Sequence, residues 1–286
     1  MTAHPETDLA PFRDLCTLTE RADGRFDAHI ASTWTVGPKV HGGSILAVTA
    51  AAARHVLRRQ MAAEEPGQLQ PLAVSVDFQG APDPGAVVLA VDVRKTGRQI
   101  STADVTLWQS DRALVRSSVT LGALDDNPAV HEQHELTDMP VEPLDDAAHY
   151  EPDSPMAATV NMGRGCRLAL DIGPAAFLRQ EQAEPRARMW ARPRPGDEAD
   201  LDTAVLFAMM LSDICPPVVF NIGRLGWAPT VQLTTYLQRR PAPGWLRVEA
   251  SARSVGTRFF DEDHLVVDST GAVVAQSRQL AMVPRG

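Results

Sequence analysis

Cysteine is scarce in this chain: three residues, Cys16, Cys166 and Cys215, lie far apart and are odd in number. Such a set builds neither a disulfide framework nor a zinc knuckle, and reads as buried thiols of a reducing cytoplasm. Positive charge is also short. Lys and Arg total 27 against 36 Asp and Glu, a net charge of −9. This balance argues against nucleic acid and anionic membrane as partners and leaves room only for a local basic pocket. No apolar run is expected to span a membrane, and MTAHPETDLAPFRDL has neither a basic n-region nor an apolar h-region. No signal peptide and no membrane insertion are therefore expected, and the chain is placed in the cytoplasm. A Gly-x-Ser-x-Gly elbow and an HExxH helix are both missing. Their absence removes the α/β-hydrolase and zincin readings, and no metal or cofactor is expected.

The 286 residues suit two ordinary domains or one large one. Residues 125–157 divide them. The stretch Asp125–Pro155 holds ten acidic residues, repeated prolines and no Lys or Arg, which predicts a solvated linker with at most one short helix. The two sides, residues 1–124 and 158–286, resemble each other. Sliding residues 74–121 forward by 159 positions lays Pro82 on Pro241, Gly85 on Gly244, Arg94 on Arg253, Gly97 on Gly256 and Asp104 on Asp263. The period is too long for a solenoid, so the chain reads as a duplicated domain.

Each half has one plan. In the first, a strand near 26–34 leads to a helix near 44–59, then strands near 71–79, 86–95, 100–109 and 113–123. In the second, a helix near 201–212 is joined by strands near 187–193, 229–239, 245–254, 259–268 and 272–283. A helix as small and apolar as ILAVTAAAA must be surrounded, and the simplest surround is a curved antiparallel sheet. The expected class is α+β: two long central helices, each wrapped by such a sheet.

The segment KVHGGSILAVTAAAARHV (39–56) poses the functional question. Two glycines at a helix start weaken the helix. They either make a tight turn or let a ligand oxygen reach the first N–H groups of the helix.

These features resemble the double hotdog proteins. KVHGGS resembles the glycine-led helix start of hotdog thioesterases, and VDFQGAPDPG the strand and turn that follow. LSDICPP, PTVQLTTYLQRR and SRQLAMV resemble the three segments that carry Asp, Thr and Gln in the bacterial acyl-CoA thioesterase II family. The resemblance implies a tandem hotdog fold and hydrolysis of an acyl-CoA by an activated water, with CoA as part of the substrate and no cofactor. It places the aspartate at Asp213, the threonine at Thr230 and the glutamine at Gln279. Where the family often has an aromatic and a histidine after the threonine, this chain has Tyr236 and Gln238, which bears on substrate choice.

Thioester hydrolysis needs a held water, a proton acceptor and donors for the oxyanion. Asp213 ends an apolar helix, where loss of solvent raises its affinity for a proton. Thr230 and Gln279 can hold a water by hydrogen bonds. Under the 159 shift their counterparts are Pro71 and Thr120, and the first helix contains no acid, so the first half cannot carry this site alone. The halves read as complementary: Gly42, Gly43 and Ser44 offer N–H groups to the thioester oxygen, with His41 at the entrance, and the second half holds the water. Arg94, Lys95, Arg98, Arg239, Arg240, Arg253 and Arg258 are the basic residues available to CoA phosphates. A non-catalytic acyl-CoA binding protein of the same fold is the alternative. A single chain already contains a paired unit, and further pairing into a homodimer or higher homo-oligomer stays open.

Overall fold

The computed structural model describes residues 9–60, 68–125 and 127–285. Met1–Asp8, part of the stretch read for a leader, lie outside the described residues. The first half runs α1 (Pro11–Leu15), β1 (Thr19–Glu20), β2 (Phe26–Ile30), β3 (Thr35–Val36), β4 (Lys39–Val40), α2 (Gly42–Gln60), β5 (Leu69–Phe78), β6 (Gly85–Lys95), β7 (Ile100–Gln109) and β8 (Arg112–Ala123). The second runs β9 (Ala148–His149), β10 (Cys166–Leu170), β11 (Arg186–Pro193), α3 (Pro195–Glu198), α4 (Leu201–Met210), β12 (Thr230–Leu237), β13 (Leu246–Ser251), β14 (Phe259–Val267) and β15 (Val273–Met282).

Small and apolar side chains decide where the helices go. In α2 every residue from Gly43 to Arg54 is buried, and β5 to β8 pack around it. Helix α4 is the counterpart, its residues Val205 to Met210 buried under β12 and β15. The strands alternate as a one-sided sheet should: β2 is buried at Phe26, Ala28 and Ile30 and exposed between. Phe12 ties the layers together, edge-on to Trp34 at 5.4 Å and to Phe207 at 5.3 Å. One central helix per half wrapped by antiparallel sheet is the expected tandem hotdog architecture, with α4, at ten residues, much shorter than the nineteen of α2.

The halves share one sheet of thirteen strands, ordered β1-β2-β6-β7-β8-β5-β12-β15-β14-β13-β11-β10-β9. The seam is β5 against β12, antiparallel, with Ser75 opposite Thr234 and their hydroxyl oxygens 2.9 Å apart. These two residues are separated by the same 159 positions as the sequence repeat. The internal two-fold axis therefore passes between them. Gly85 and Gly244, matched by the repeat, both have positive φ (135° and 114°) where β6 and β13 begin.

Two expectations need correction. Leu201–Ile222 is apolar over a membrane-spanning length, but it breaks at two 3-10 turns and Pro216–Pro217 and is mostly buried within the fold. The acidic linker is also more than a solvated tether. Leu136, Met139 and Ala147 are buried against Trp190, Trp245 and Val267 on the outer face of the second half-sheet. Arg247 donates to the Leu136 and Met139 carbonyls, and the Trp190 indole N–H to that of Pro140. A few apolar residues among the acids suffice to pin the segment down. Leu136 is fully enclosed, so Leu136→Ala is expected to cost about 2–4 kcal/mol, read as a lower Tm in thermal unfolding.

Candidate active site

The glycine pair sits where two helix ends meet. The N-terminus of α2 abuts the 3-10 turn Leu211–Asp213 that continues α4. A Cβ on Gly43 would lie 2.2 Å from the Met210 carbonyl oxygen, and one on Gly42 would lie 2.5 Å from Asp213 Oδ2. At Gly43 the backbone carbonyl leaves no room for a larger residue, and at Gly42 a side chain would have to displace the Asp213 carboxylate. The Gly43 N–H donates to Asp213 Oδ2 at 2.8 Å. Ser44 N–H donates to His41 Nδ1 at 3.2 Å, so the His41 proton sits on Nε2, which donates to the Asp213 carbonyl at 2.7 Å. In the resting structure the N–H groups of Gly43 and Ser44, expected to face a thioester oxygen, are both held by the chain's own side chains. The oxygen that reaches Gly43 belongs to the chain's own carboxylate.

Asp213 is almost sealed from solvent. Burial pushes its proton affinity up, while His41 and the Gly43 N–H pull it back down. The N-terminal pole of α2 adds a favourable field for a negative charge.

Thr230 and Gln279 form the second cluster. Strand parity would turn Thr230 outward, since Leu233, Thr235 and Leu237 are the buried positions of β12. A β-bulge between Thr230 and Gln232 adds one residue and returns Thr230 to the inner face. Its hydroxyl donates to Gln279 Oε1 at 2.8 Å. Gln279 Nε2 donates in turn to Glu262 Oε1 at 2.9 Å, and Val218 N–H donates to Glu262 Oε2 at 2.9 Å. No hydrogen bond joins Asp213 directly to Thr230 or Gln279. The turn that carries Asp213 nevertheless lies on β14 and β15, anchored by Ser277 Oγ–H donating to the Ser212 carbonyl.

Glu262 escaped sequence reasoning. It sits in the acidic run DED, whose flanking members Asp261 and Asp263 take the surface Arg278. The signal was the alternation of β14: Glu262 shares parity with buried Phe260, His264 and Val266. Burial, the nearby Asp213 charge and Asp261 push its carboxyl up to about 8 against the Val218 and Gln279 hydrogen bonds. His264 is enclosed beside it, with Nε2 at 3.6 Å, and burial and His41 push it down to about 3. Tyr236, by contrast, is exposed on the outer face and lines no part of the site. Arg94, Arg239 and Arg253 are engaged by Asp92 and Asp104, by Glu132 and by Asp263 respectively.

Residues 30–122 match the acyl-CoA thioesterase N-terminal domain and residues 138–283 the C-terminal domain. The chain belongs to the acyl-CoA thioesterase family. An uncharacterised protein of Mycobacterium tuberculosis strain H37Rv is 41% identical over 282 residues, covering 91% of each chain. Among solved structures, a protein provisionally assigned as a thioesterase II from Thermobifida fusca aligns with TM-score 0.81 at 22% identity, covering 97% of this chain and 100% of its own. The acyl-CoA thioesterase II TesB2 of Mycobacterium marinum aligns with TM-score 0.67 at 12% identity, covering 96% and 97%. The likeness to both structures is one of fold.

In this thioesterase-family chain the internal two-fold relates the site to a different cluster at the far ends of the helices. Under the 159 shift, Asp213 falls on Arg54 and Asp202 on Gly43. Arg54 Nη1 donates to the Asp202 carbonyl at 3.0 Å and to Gln70 Oε1 at 2.8 Å, Gln70 Nε2 donates to Asp202 Oδ1 at 2.6 Å, and Arg58 pairs with the same carboxylate. A cavity of about 520 Å³ lies beside it. Where one end has an aspartate on a glycine N–H, the other has arginines on an aspartate.

Burial raises the Asp202 proton affinity, but Arg58, Arg54 and Gln70 outweigh it and hold the carboxyl down at about 2. A depressed folded-state value means that this group stabilises the fold above about pH 4 and loses that contribution as pH falls toward 2. Asp202→Asn is therefore expected to lower Tm by roughly 2–8 °C at pH 7, with the gap from wild type closing as the melt is repeated toward pH 2. Gly43→Ala should be worse, forcing the helix ends apart, and is expected to lower both Tm and any activity of the site.

Proposed function

We propose that the chain hydrolyses acyl-CoA thioesters, with Asp213 as general base and one composite site per molecule. The observation that carries this reading is a buried carboxylate with no Lys or Arg partner among the described residues, held on a helix N-terminus, its turn packed on β15, where Gln279 is bonded to Thr230 of the adjacent strand. A water between these groups donates one hydrogen to Asp213 and the other to Thr230 Oγ1, whose own proton is committed to Gln279. Its lone pair then faces the thioester carbon. As the water oxygen attacks, its proton moves to Asp213 and negative charge moves to the thioester oxygen. Neutral Asp213 is a poorer acceptor, so the Gly43 N–H shifts from it to the new oxyanion at the pole of α2. The C–S bond then breaks, the proton on Asp213 returns to the departing CoA sulfur, and free acid is left.

The test is release of CoA thiol from a panel of acyl-CoAs, short to long, with wild type beside Asp213→Asn. Wild-type turnover with a loss of roughly 10²–10⁴ in kcat for the variant is expected. Thr230→Ala and Gln279→Ala should cost less, since neither accepts the proton. The pH profile follows from the raised proton affinity of Asp213: wild-type kcat/KM should rise with pH above the usual carboxylate range. The same burial opposes folding once Asp213 ionises, so Asp213→Asn should match or exceed wild-type Tm at pH 7 while losing activity. Acyl-CoA binding without turnover in the wild type would replace hydrolysis with the binding-protein reading.

A further inference from the structure

Glu262 is a buried acid that the mechanism above leaves unused. Among the described residues it has no Lys or Arg partner, and it lies directly opposite Gln279 in the β14–β15 ladder. Enclosing a carboxyl without an ion pair is costly, and holding the Val218 N–H needs only one of its two oxygens. The bond to Gln279 gives the other oxygen a role. Gln279 can present either end of its carboxamide to Thr230. Ionised, Glu262 can only accept, so its Oε1 takes the Nε2–H and the amide oxygen must face Thr230; a protonated carboxyl could donate to the amide and would lose that bias. Thr230 then donates inward, and its lone pairs are left for the water. With the amide reversed, the Gln279 N–H would donate to Thr230, and the Thr230 hydroxyl proton would turn toward the water and compete for the lone pair that attacks.

We propose that Glu262 is a positioning residue for hydrolysis, its carboxyl fixing which end of the Gln279 carboxamide faces Thr230. The inference rests on the hydrolytic reading for its kinetic consequence but not for the side-chain order. The Val218 N–H clamps the other carboxyl oxygen, so the carboxyl itself is fixed. The groups facing it are Asp213 from the turn after α4, Cys215 from the following loop, Gln279 from β15, and Asp261 and His264 on its own strand. Glu262→Gln nearly preserves shape but has a single acceptor oxygen for two N–H donors. Either the Val218 N–H loses its partner or Gln279 reverses.

The experiment is a double-mutant cycle on the full chain with Glu262→Gln, Thr230→Ala and both together, followed by acyl-CoA hydrolysis above pH 8, where Glu262 is ionised, and thermal unfolding. The expected result is a fall of roughly 10–10² in kcat for Glu262→Gln with KM changed less than about threefold, and little further loss when Thr230→Ala is added. A wild-type kcat for Glu262→Gln, or losses that multiply, overturns the proposal. A second readout does not depend on turnover. The ¹⁵N resonance of the Gln279 side-chain amide should titrate near pH 8 in wild type, as Glu262 ionises, and stay flat in Glu262→Gln. If wild type hydrolyses no acyl-CoA but this titration appears and vanishes as stated, the hydrolytic reading fails and the Glu262–Gln279 coupling stands. If wild type is active and the amide does not titrate, the proposal fails and hydrolysis stands.

Discussion

Asp213 keeps a carboxylate inside the protein with one backbone N–H, a histidine and the pole of a helix as its direct support among the described residues. That arrangement sets the terms for everything around it. The N–H can be reached only because positions 42 and 43 have no side chains. The helix pole is in place because α2 and α4 lie side by side and antiparallel, so that the start of one sits at the end of the other, and both pack their apolar faces under one continuous sheet. A carboxylate paired with arginine would be more stable and a weaker base. The weak partnership is what leaves Asp213 free to take a proton.

Much of this was legible in the chain itself. The 159-residue repeat foretold two equivalent halves, and helix α2, β7 and β8 fall within a residue or two of their expected bounds because their patterns are long and their turns are marked by Gly, Pro and Ser-Asp. Asp213, Thr230 and Gln279 were singled out through the family resemblance, and the fold brings the Asp213 turn onto the strand that carries Gln279. Other features depend on three-dimensional accidents of register. The bulge beside Thr230 has no signature in PTVQLTTYL, since either parity suits that string. The Gly43–Asp213 bond joins residues 170 positions apart. Leu136 and Met139 looked like isolated apolar residues in an acidic tether, because the tryptophan face they bury comes from strands far along the chain. Glu262 was masked by its acidic neighbours, although strand alternation alone would have turned it inward.

The two ends of the helix pair show how one backbone plan supports opposite electrostatics. At one end a lone buried acid is held loosely. At the other, Asp202 lies within a network of two arginines and a glutamine that tightens it. The first end has the unsatisfied, high-energy character of a reactive site. The second is saturated with hydrogen bonds and contributes rigidity.

The two-fold axis between Ser75 and Thr234 carries an implication about sequence freedom. In a dimer of identical chains, each replacement appears twice, once at each symmetry-related place. An arginine that strengthened one end would then also stand in the place of the buried aspartate at the other. Joining the halves covalently lifts that constraint, so position 54 and position 213 can evolve independently while the shared sheet keeps the geometry of both. The fused chain can give up one of two equivalent pockets for cohesion and refine the other, a specialisation closed to any assembly of identical subunits.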